Sequence, residues 1–462
     1  MTQTVVLERM SFGPEAVGHL ESGKTVFVSG GVAGDTVAVR ITQEKASFAR
    51  ADVVEVLEPS SARVAPTCAH AGVCGGCPWQ CLGYAQQLEA KRANVVSALQ
   101  RNGGFAREDA EALVAACVPS KREWGYRNKL ELACFKDDAG RLQLGFHAQR
   151  GNPTPAPDTC PIAVKALQKA PKALRGSLRF AQGADDLGIF RVGIRASLRT
   201  RSSEVALWTN PGPFPRAAVA KTVGSAVKGA GIVRVLAEQG KARKVKGVEV
   251  LAGKGFWEEE LADATYLTSA PAFFQVNTAQ AERLVAEVLY ALAGEPSPAA
   301  QGMPARDAIG KLQDSYALED QRIADLYAGG GTFSIHLALA GADVVAVESA
   351  GASVRDLRRN AENAQVWVDV VGGDSARQLP LLGSLDALVV DPPRAGLAAG
   401  VAESIAAANP ARVAYVSCDA QTWARDVKLL QAQGYALARV VPVDLFPQTF
   451  HCEVVSLFQR TR

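Results

Sequence analysis

Residues 322–340 read RIADLYAGGGTFSIHLALA. A short apolar run leads into Gly329, Gly330 and Gly331, and a segment with helical apolar spacing follows. Glycines at such a junction let the backbone turn sharply and approach a ligand with no Cβ in the way. The next β run, ADVVAVE, ends in Glu348. An acidic residue there can hydrogen-bond ribose hydroxyls, so a nucleoside-containing cofactor is expected. The dinucleotide fingerprint would want Gly or Ala where Ser334 stands, which argues against NAD. The alternation continues through ASVRDLRRNAENA, LDALVVD, RVAYVS and TWARDVKLLQAQ, and VVPVDLFPQTFHCEVVSLFQ reads as a closing antiparallel pair of strands. The fold class this predicts is α/β, a doubly wound parallel sheet.

Upstream the pattern changes. Residues 1–59 hold the Val-rich segments TVVLERM, TVFVSG, DTVAVRITQ and ARADVVEVLEP between Gly turns. About five short strands in that length suit a barrel of the oligonucleotide-binding type. Residues 60–82 form a Cys- and Gly-rich loop, and 84–102 carry apolar residues at helical spacing with Gly103–Gly104 as a stop. Residues 113–265 mix strands and short helices. Basic residues gather there: Lys121, Arg122, Arg127 and Lys129; Arg191, Arg195, Arg199 and Arg201; Lys241, Arg243, Lys244 and Lys246. A solvated surface accounts for most such residues, and their alternation with Trp124, Tyr126 and Phe135 allows an RNA-facing surface. The stretch 293–313, rich in Ala, Gly and Pro, reads as a loop or insertion.

Composition bounds these readings. The chain has 462 residues, 48% hydrophobic and 21% charged, which excludes wholesale disorder. Fifty Lys and Arg against 47 Asp and Glu give a net charge of +3, which excludes a histone-like binder but not a local basic face. There is no run of about 18 apolar residues, so no membrane span is expected. The N-terminus lacks a secretory pattern. Nine Cys without disulfide-like spacing point to a reducing, cytoplasmic compartment.

Four further motifs carry chemistry. In Leu388-Val-Val-Asp391-Pro-Pro-Arg394, an apolar strand delivers Asp391 to the carboxyl edge of the sheet, and the prolines stiffen its exit. Cys418, in Tyr415-Val-Ser-Cys418-Asp419, ends a strand at the same edge, either as a nucleophile or as a small buried hydrophobe. Glu453 opens the final strand, where a carboxylate is costly unless paired or functional, and His451 before it either orients a neighbour or lies at the surface. Cys68, Cys74 and Cys77, with Cys160 far downstream, are enough to hold zinc or an iron–sulfur cluster, and Cys81 competes as fourth ligand. The asymmetric spacing leans towards iron–sulfur.

Taken together, these motifs resemble the RNA uracil-5-methyltransferases that use S-adenosylmethionine, over nearly the whole chain. The resemblance implies a Rossmann-like methyltransferase domain, an N-terminal TRAM barrel of the OB type and a mixed α+β central domain. The expected division is 1–60, 61–265 and 266–462, with a helix near 84–112 packing on the catalytic domain. Cys68, Cys74, Cys77 and Cys160 would ligate a 4Fe–4S cluster, leaving Cys81 out. Phe274-Gln275-Val-Asn277 matches the family motif in which the Gln contacts the cofactor. Tyr327, Gly329, Gly331, Thr332, Glu348, Asp374 and Asp391 would line the rest of that pocket. Cys418 would be the nucleophile and Glu453 the base. The chain departs from common members at Ala328, Thr332, Asp419-Ala420 and Cys452. The implied substrate is 23S ribosomal RNA, with transfer RNA as the alternative, for a monomeric enzyme without a membrane partner. Rival readings are an N-methyltransferase, which would not need Cys418, a non-catalytic RNA-binding protein, and an NAD-dependent oxidoreductase.

Overall fold

The computed structural model describes residues 2–149, 156–183, 186–240 and 244–461. Strands β1 (Thr2–Met10), β2 (Ala16–His19), β3 (Thr25–Ser29), β4 (Thr36–Glu44) and β5 (Phe48–Glu58) close into a barrel in the order β1-β2-β3-β5-β4. Alternation drives it: Val26, Val28, Val37 and Val39 point inward, and their neighbours along each strand are less buried. Gly18 makes the close approach of β2 to β1 feasible, since a Cβ there would lie 2.4 Å from the Val6 carbonyl oxygen.

The Cys-rich segment leads to a helix, Tyr84–Ala98, that continues as a π-helical turn, Leu99–Gly103. Gly104 ends it in the left-handed region at φ 78°. This helix packs on the Ala420–Ala432 helix of the C-terminal sheet. Val95, Val96 and Leu99 share one core with Trp423 and Val427. Behind it, Val114 and Val118 pair in parallel with Val440 and Val443.

The central sheet comprises β6 (Lys129–Lys136), β7 (Leu142–Gly145), β8 (Ile189–Ala196), β9 (Ser203–Thr209), β10 (Gly231–Leu236) and β11 (Gly247–Ala252), in the order β11-β10-β9-β8-β6-β7. The hairpin of β12 (Trp257–Leu261) and β13 (Ala264–Thr268) follows, and its Trp257, Leu261 and Tyr266 are buried in the core of the C-terminal sheet. Residues 293–313 are not simply a loop: Ala305–Asp314 is a helix that buries Ala308, Ile309 and Leu312. Apolar residues at i, i+1 and i+4 outweigh the loop-like composition.

The C-terminal sheet holds β14 (Arg322–Leu326), β15 (Asp343–Glu348), β16 (Asp369–Gly372), β17 (Ala387–Val390), β18 (Arg412–Ser417), β19 (Tyr435–Val443) and β20 (Glu453–Arg460). Their order is β16-β15-β14-β17-β18-β20-β19, and β20 alone runs opposite to the other six, pairing antiparallel with β18 and β19. Both faces of the parallel part are covered by helices, so its strands are continuous apolar runs rather than alternating ones. Among the described residues, no helix is long and apolar enough to cross a membrane.

The central basic residues only partly form an outer surface. Arg195 is buried and donates to the Ser269 and Ala272 carbonyls. Arg199 is bound to Glu282, and Arg191 lies over the Trp208 ring. Arg195 and Arg199 thus join the central sheet to its neighbours and Arg191 packs within the sheet, which takes these three from the surface open to RNA. Lys241 and Arg243 lie outside the described residues.

Candidate active site

Strands β14, β17 and β18 run parallel and end at one edge of the sheet with Leu326, Val390 and Ser417. Tyr327, Asp391 and Cys418 are the next residues along the chain. Strand β20 begins at this edge in the opposite direction. Ser417 and Val454 are the last pair of that ladder, so Cys418 and Glu453 are the next residues of the two strands at this end, close enough for the Glu453 carboxyl to act on the Cys418 thiol.

Burial, and after it the crowding of acids, governs the electrostatics. Burial, followed by the Asp325 carboxyl, raises Asp391 to about 7. Burial and then Asp391 raise Glu453 to about 8, while Arg394 pulls in the other direction. Burial, then Glu453 and Asp391, push the Cys418 thiol up to about 11. Arg394 opposes this with its charge and a hydrogen bond to the sulfur. In the free protein the thiol is therefore protonated, and one guanidinium favours its anion. Arg394 belongs to the Asp-Pro-Pro-Arg motif but was not among the site residues expected from sequence. His451 is not at the surface: it packs 4.2 Å from the Phe450 ring, and burial lowers it to about 4, so its imidazole is neutral at pH 7.

The Gly-rich turn sits beside these groups. Tyr327 takes a left-handed φ of 65°, and Gly331 one of 91°. The Glu348 carboxylate accepts from the Gly329 and Ala350 N–H groups at 2.8 and 2.6 Å, which shapes the turn and leaves each oxygen a second lone pair. A Cβ on Gly329 would meet nothing within 4 Å, so the turn borders open space. Asp325 lies beneath it, raised to about 7 by burial, and accepts from Ser334 Oγ at 2.5 Å. Ser334 is thus a partner of Asp325. Asp374 caps the Ser375–Gln378 helix, and burial, followed by the nearby Asp374 carboxylate, raises the Tyr327 phenol. Thr332 opens the helix after the turn. Gln275 precedes the Thr278–Ala293 helix, with its carbonyl held by Asn128. Asn360, absent from the sequence reading, donates to the Gly330 carbonyl and accepts from Leu267 N–H, tying the turn to the hairpin.

The segment that carries His451 towards Glu453 is clamped from outside its own sheet. Five consecutive carbonyls, Asp444 to Gln448, accept in turn from Gln280, Asn277, Lys91, Tyr126 and the Trp79 N–H. Lys91 and Asp444 form a fully buried ion pair, and Tyr84 donates to the same carboxylate at 2.7 Å. Gln87 and Gln448 exchange two hydrogen bonds. None of these partners was legible from spacing, because Asn277 and Gln280 lie 168 and 164 positions from the residues they hold, and the partners at 79–126 lie more than 300 away.

Cys68, Cys74, Cys77 and Cys160 line one cavity of about 140 Å³, whereas Cys81 packs against the barrel core. N–H groups point at the sulfurs: His70 donates to Cys68 at 3.4 Å, Gly76 to Cys74, and Ala163 and Ile162 to Cys160. Arg127 lies near Cys77, Cys160 and His451. Among the described residues, no group of three or more His, Cys, Asp or Glu is gathered tightly enough to hold a single metal ion. Four thiols, several N–H donors and a guanidinium thus gather around this cavity.

Comparison with known proteins agrees with this arrangement. Residues 1–54 match the TRAM domain, and residues 383–461 match the tRNA (Uracil-5-)-methyltransferase family. The chain is 32% identical to an uncharacterised RNA methyltransferase of Thermosynechococcus vestitus, over 98% of this chain and 96% of the relative. It is 30% identical to the 23S rRNA (uracil(1939)-C(5))-methyltransferase RlmD of Shewanella sp. ANA-3, again over 98% and 96%. It resembles the crystal structure of the Pyrococcus abyssi tRNA (uracil-54, C5)-methyltransferase in complex with S-adenosyl-L-homocysteine, with a TM-score of 0.73, 26% identity, and coverage of 98% of this chain and 99% of that one. The barrel, the doubly wound sheet and full-length relatives together identify the chain as a member of the RNA (uracil-5-)-methyltransferase family.

Proposed function

We propose that the protein methylates carbon 5 of a uridine in 23S ribosomal RNA through a transient bond between Cys418 and the uracil ring. The observation that supports this reading is that Cys418, Glu453 and Asp391 gather at one end of the sheet, close enough to act on one another's charge. Carbon 5 of uracil is a poor nucleophile. Addition of the Cys418 sulfur at carbon 6 turns the ring into an enolate, and carbon 5 then takes the methyl. S-adenosylmethionine, when bound, supplies that methyl as an electrophile. Glu453 accepts the proton from carbon 5, and expulsion of the Cys418 thiolate restores the ring. Arg394 favours the thiolate on both sides of the adduct. A stacked base cannot reach the sulfur, so the uridine is unpaired or flipped.

Gln275, Tyr327, Gly329, Gly331, Thr332, Glu348, Asp374 and Asp391 are the proposed walls of the methyl-donor pocket. The lone pairs left on Glu348 and the open space over Gly329 support that assignment. Cys68, Cys74, Cys77 and Cys160 would hold a 4Fe–4S cluster, which the proposed route does not need as an electron carrier. The working division is an RNA-binding barrel, a central unit with the cysteine site, and a catalytic unit on which the Tyr84–Ala98 helix packs, in a cytoplasmic monomer.

The relatives named for ribosomal RNA favour that substrate, while the likeness to a tRNA methyltransferase supports transfer RNA as the second reading. Mass spectrometry of both RNA pools from cells lacking the gene tells them apart by which pool loses 5-methyluridine. RNA containing 5-fluorouridine tests the chemistry: with methyl donor present, the native protein should form a covalent complex and Cys418→Ala should form none. Methyl transfer by Cys418→Ala would support the N-methyltransferase rival instead.

A further inference from the structure

A cleft of about 810 Å³ opens between the barrel and the catalytic sheet. Three distant stretches of chain wall it. The barrel contributes Arg9, Phe12 and Phe27; the π-helical turn contributes Arg101; the catalytic unit contributes Gln421 and Phe450. The inner end of the cleft borders the reaction site, because Gln421 follows closely on Cys418 and Phe450 directly precedes His451.

The lining combines unpaired positive charge with a track of rings. Arg9 and Arg101 come from different elements and both line the cleft, and burial, followed by the charge of Arg101, lowers Arg9. Neither forms an ion pair among the described residues, and Glu8, the acid beside Arg9, is engaged by His19 at 2.8 Å. Glu15, also on the cleft, is bound by Arg50. Two guanidiniums with no acid between them form a site for an anion such as a phosphate. The π-helical turn is held in place by Asn102, which donates to Gln421 Oε1 at 3.0 Å. The rings of Phe12 and Phe450 lie 6.2 Å apart, and Phe450 lies 4.2 Å from His451, so aromatic surface runs from the cleft to the catalytic edge. Such surface accepts any base by stacking. When a uridine leaves its stack for the pocket, its neighbours lose that stacking and need a substitute.

We propose that this cleft is a subsite for the unpaired nucleotides adjoining the target uridine, in which Arg9 and Arg101 share one phosphate and Phe450 stacks on a neighbouring base. The proposal rests on the assignment of RNA uridine chemistry to Cys418. It is tested by titrating a labelled twelve-nucleotide uridine RNA against the full chain at several salt concentrations, with S-adenosylhomocysteine binding followed by calorimetry as a check of folding. Arg101→Glu should weaken RNA binding about tenfold and flatten the plot of log affinity against log salt by about 0.7. Phe450→Ala should weaken it about tenfold with the salt slope unchanged, and Phe450→Trp should restore it. Native affinity and slope in both Arg101→Glu and Phe450→Ala would overturn the proposal. RNA affinity is read here without methyl transfer. Failure of the native protein to trap 5-fluorouridine RNA would therefore count against Cys418 chemistry, and failure of these variants to lose affinity would count against the cleft.

Discussion

Glu453 shows how a residue's surroundings rather than its type decide its chemistry. Its carboxyl is raised to about 8, so the native protein keeps a proton that the unfolded chain releases near the ordinary carboxylate value. The unfolded state is then the better proton donor, and stability falls as pH rises from about 4.5 to about 8. Glu453→Gln should remove that penalty. We expect it to stabilise the protein by on the order of 2 kcal/mol above pH 8 and by nothing below pH 4.5, measured by denaturant unfolding, while methyl transfer is lost. Asp391 and Cys418 titrate with Glu453, so the rising limb of the rate profile belongs to the group as a whole. Arg394 favours the charged forms of Glu453 and Cys418. Arg394→Ala should therefore move that limb to higher pH, measured as kcat/KM against pH, and an unmoved limb would remove Arg394 from the account. Sequence spacing brought Asp391, Cys418 and Glu453 to attention, because each stands where an apolar strand meets a polar turn. It passed over Arg394, whose role depends on a sulfur 24 positions later.

The clamp on residues 444–448 is the decisive feature among the elements. A helix from the early part of the chain reaches the catalytic sheet and neutralises Asp444 with Lys91, both fully buried. Removing one partner of a buried pair leaves an uncompensated charge, at roughly 3–5 kcal/mol. Lys91→Met should cost that much in urea unfolding and should lower kcat, because the chain leading to Glu453 loses its anchor at Phe446. The triple variant Lys91→Met, Asp444→Leu, Tyr84→Phe removes the charges and the hydroxyl together, so it should recover most of the stability. Recovery of stability without recovery of kcat would identify the pair as a positioning device. The helix itself was readable from its apolar spacing and its Gly103–Gly104 stop. Its partners were not, since periodicity describes one face of an element and says nothing about which distant chain covers it.

For the whole molecule, the cysteine cavity and the catalytic edge form one mechanical unit. Trp79 and Tyr126, which flank the cysteine loop and its neighbouring segment, hold the Gln448 and Pro447 carbonyls. If the four cysteines hold a cluster, removing it by chelation should raise amide hydrogen exchange in residues 444–452 as well as in 68–77, and should lower the melting temperature. Exchange confined to residues 68–77 would separate the two sites. The same scale explains the misreading of the central basic residues. Composition marked them as an outward surface, but Arg195 and Arg199 sit where two sheets meet, and a guanidinium can satisfy several buried carbonyls at once.

The sequence by itself determined the order of barrel, cysteine loop and doubly wound sheet. Each of these rests on local rules: alternation within a strand, glycine at a turn, apolar spacing along a helix. It also marked the residues at the carboxyl edge, because strand ends are local as well. Only the tertiary structure decided that Cys418 and Glu453 meet at one end of the sheet, that Arg394 turns to the sulfur, that Lys91 supports the segment leading to Glu453, and that Arg9 and Arg101 line one cleft. Those relations depend on register and on packing between segments that are separate along the chain, and side chains that meet only after the chain has folded leave no periodicity along it.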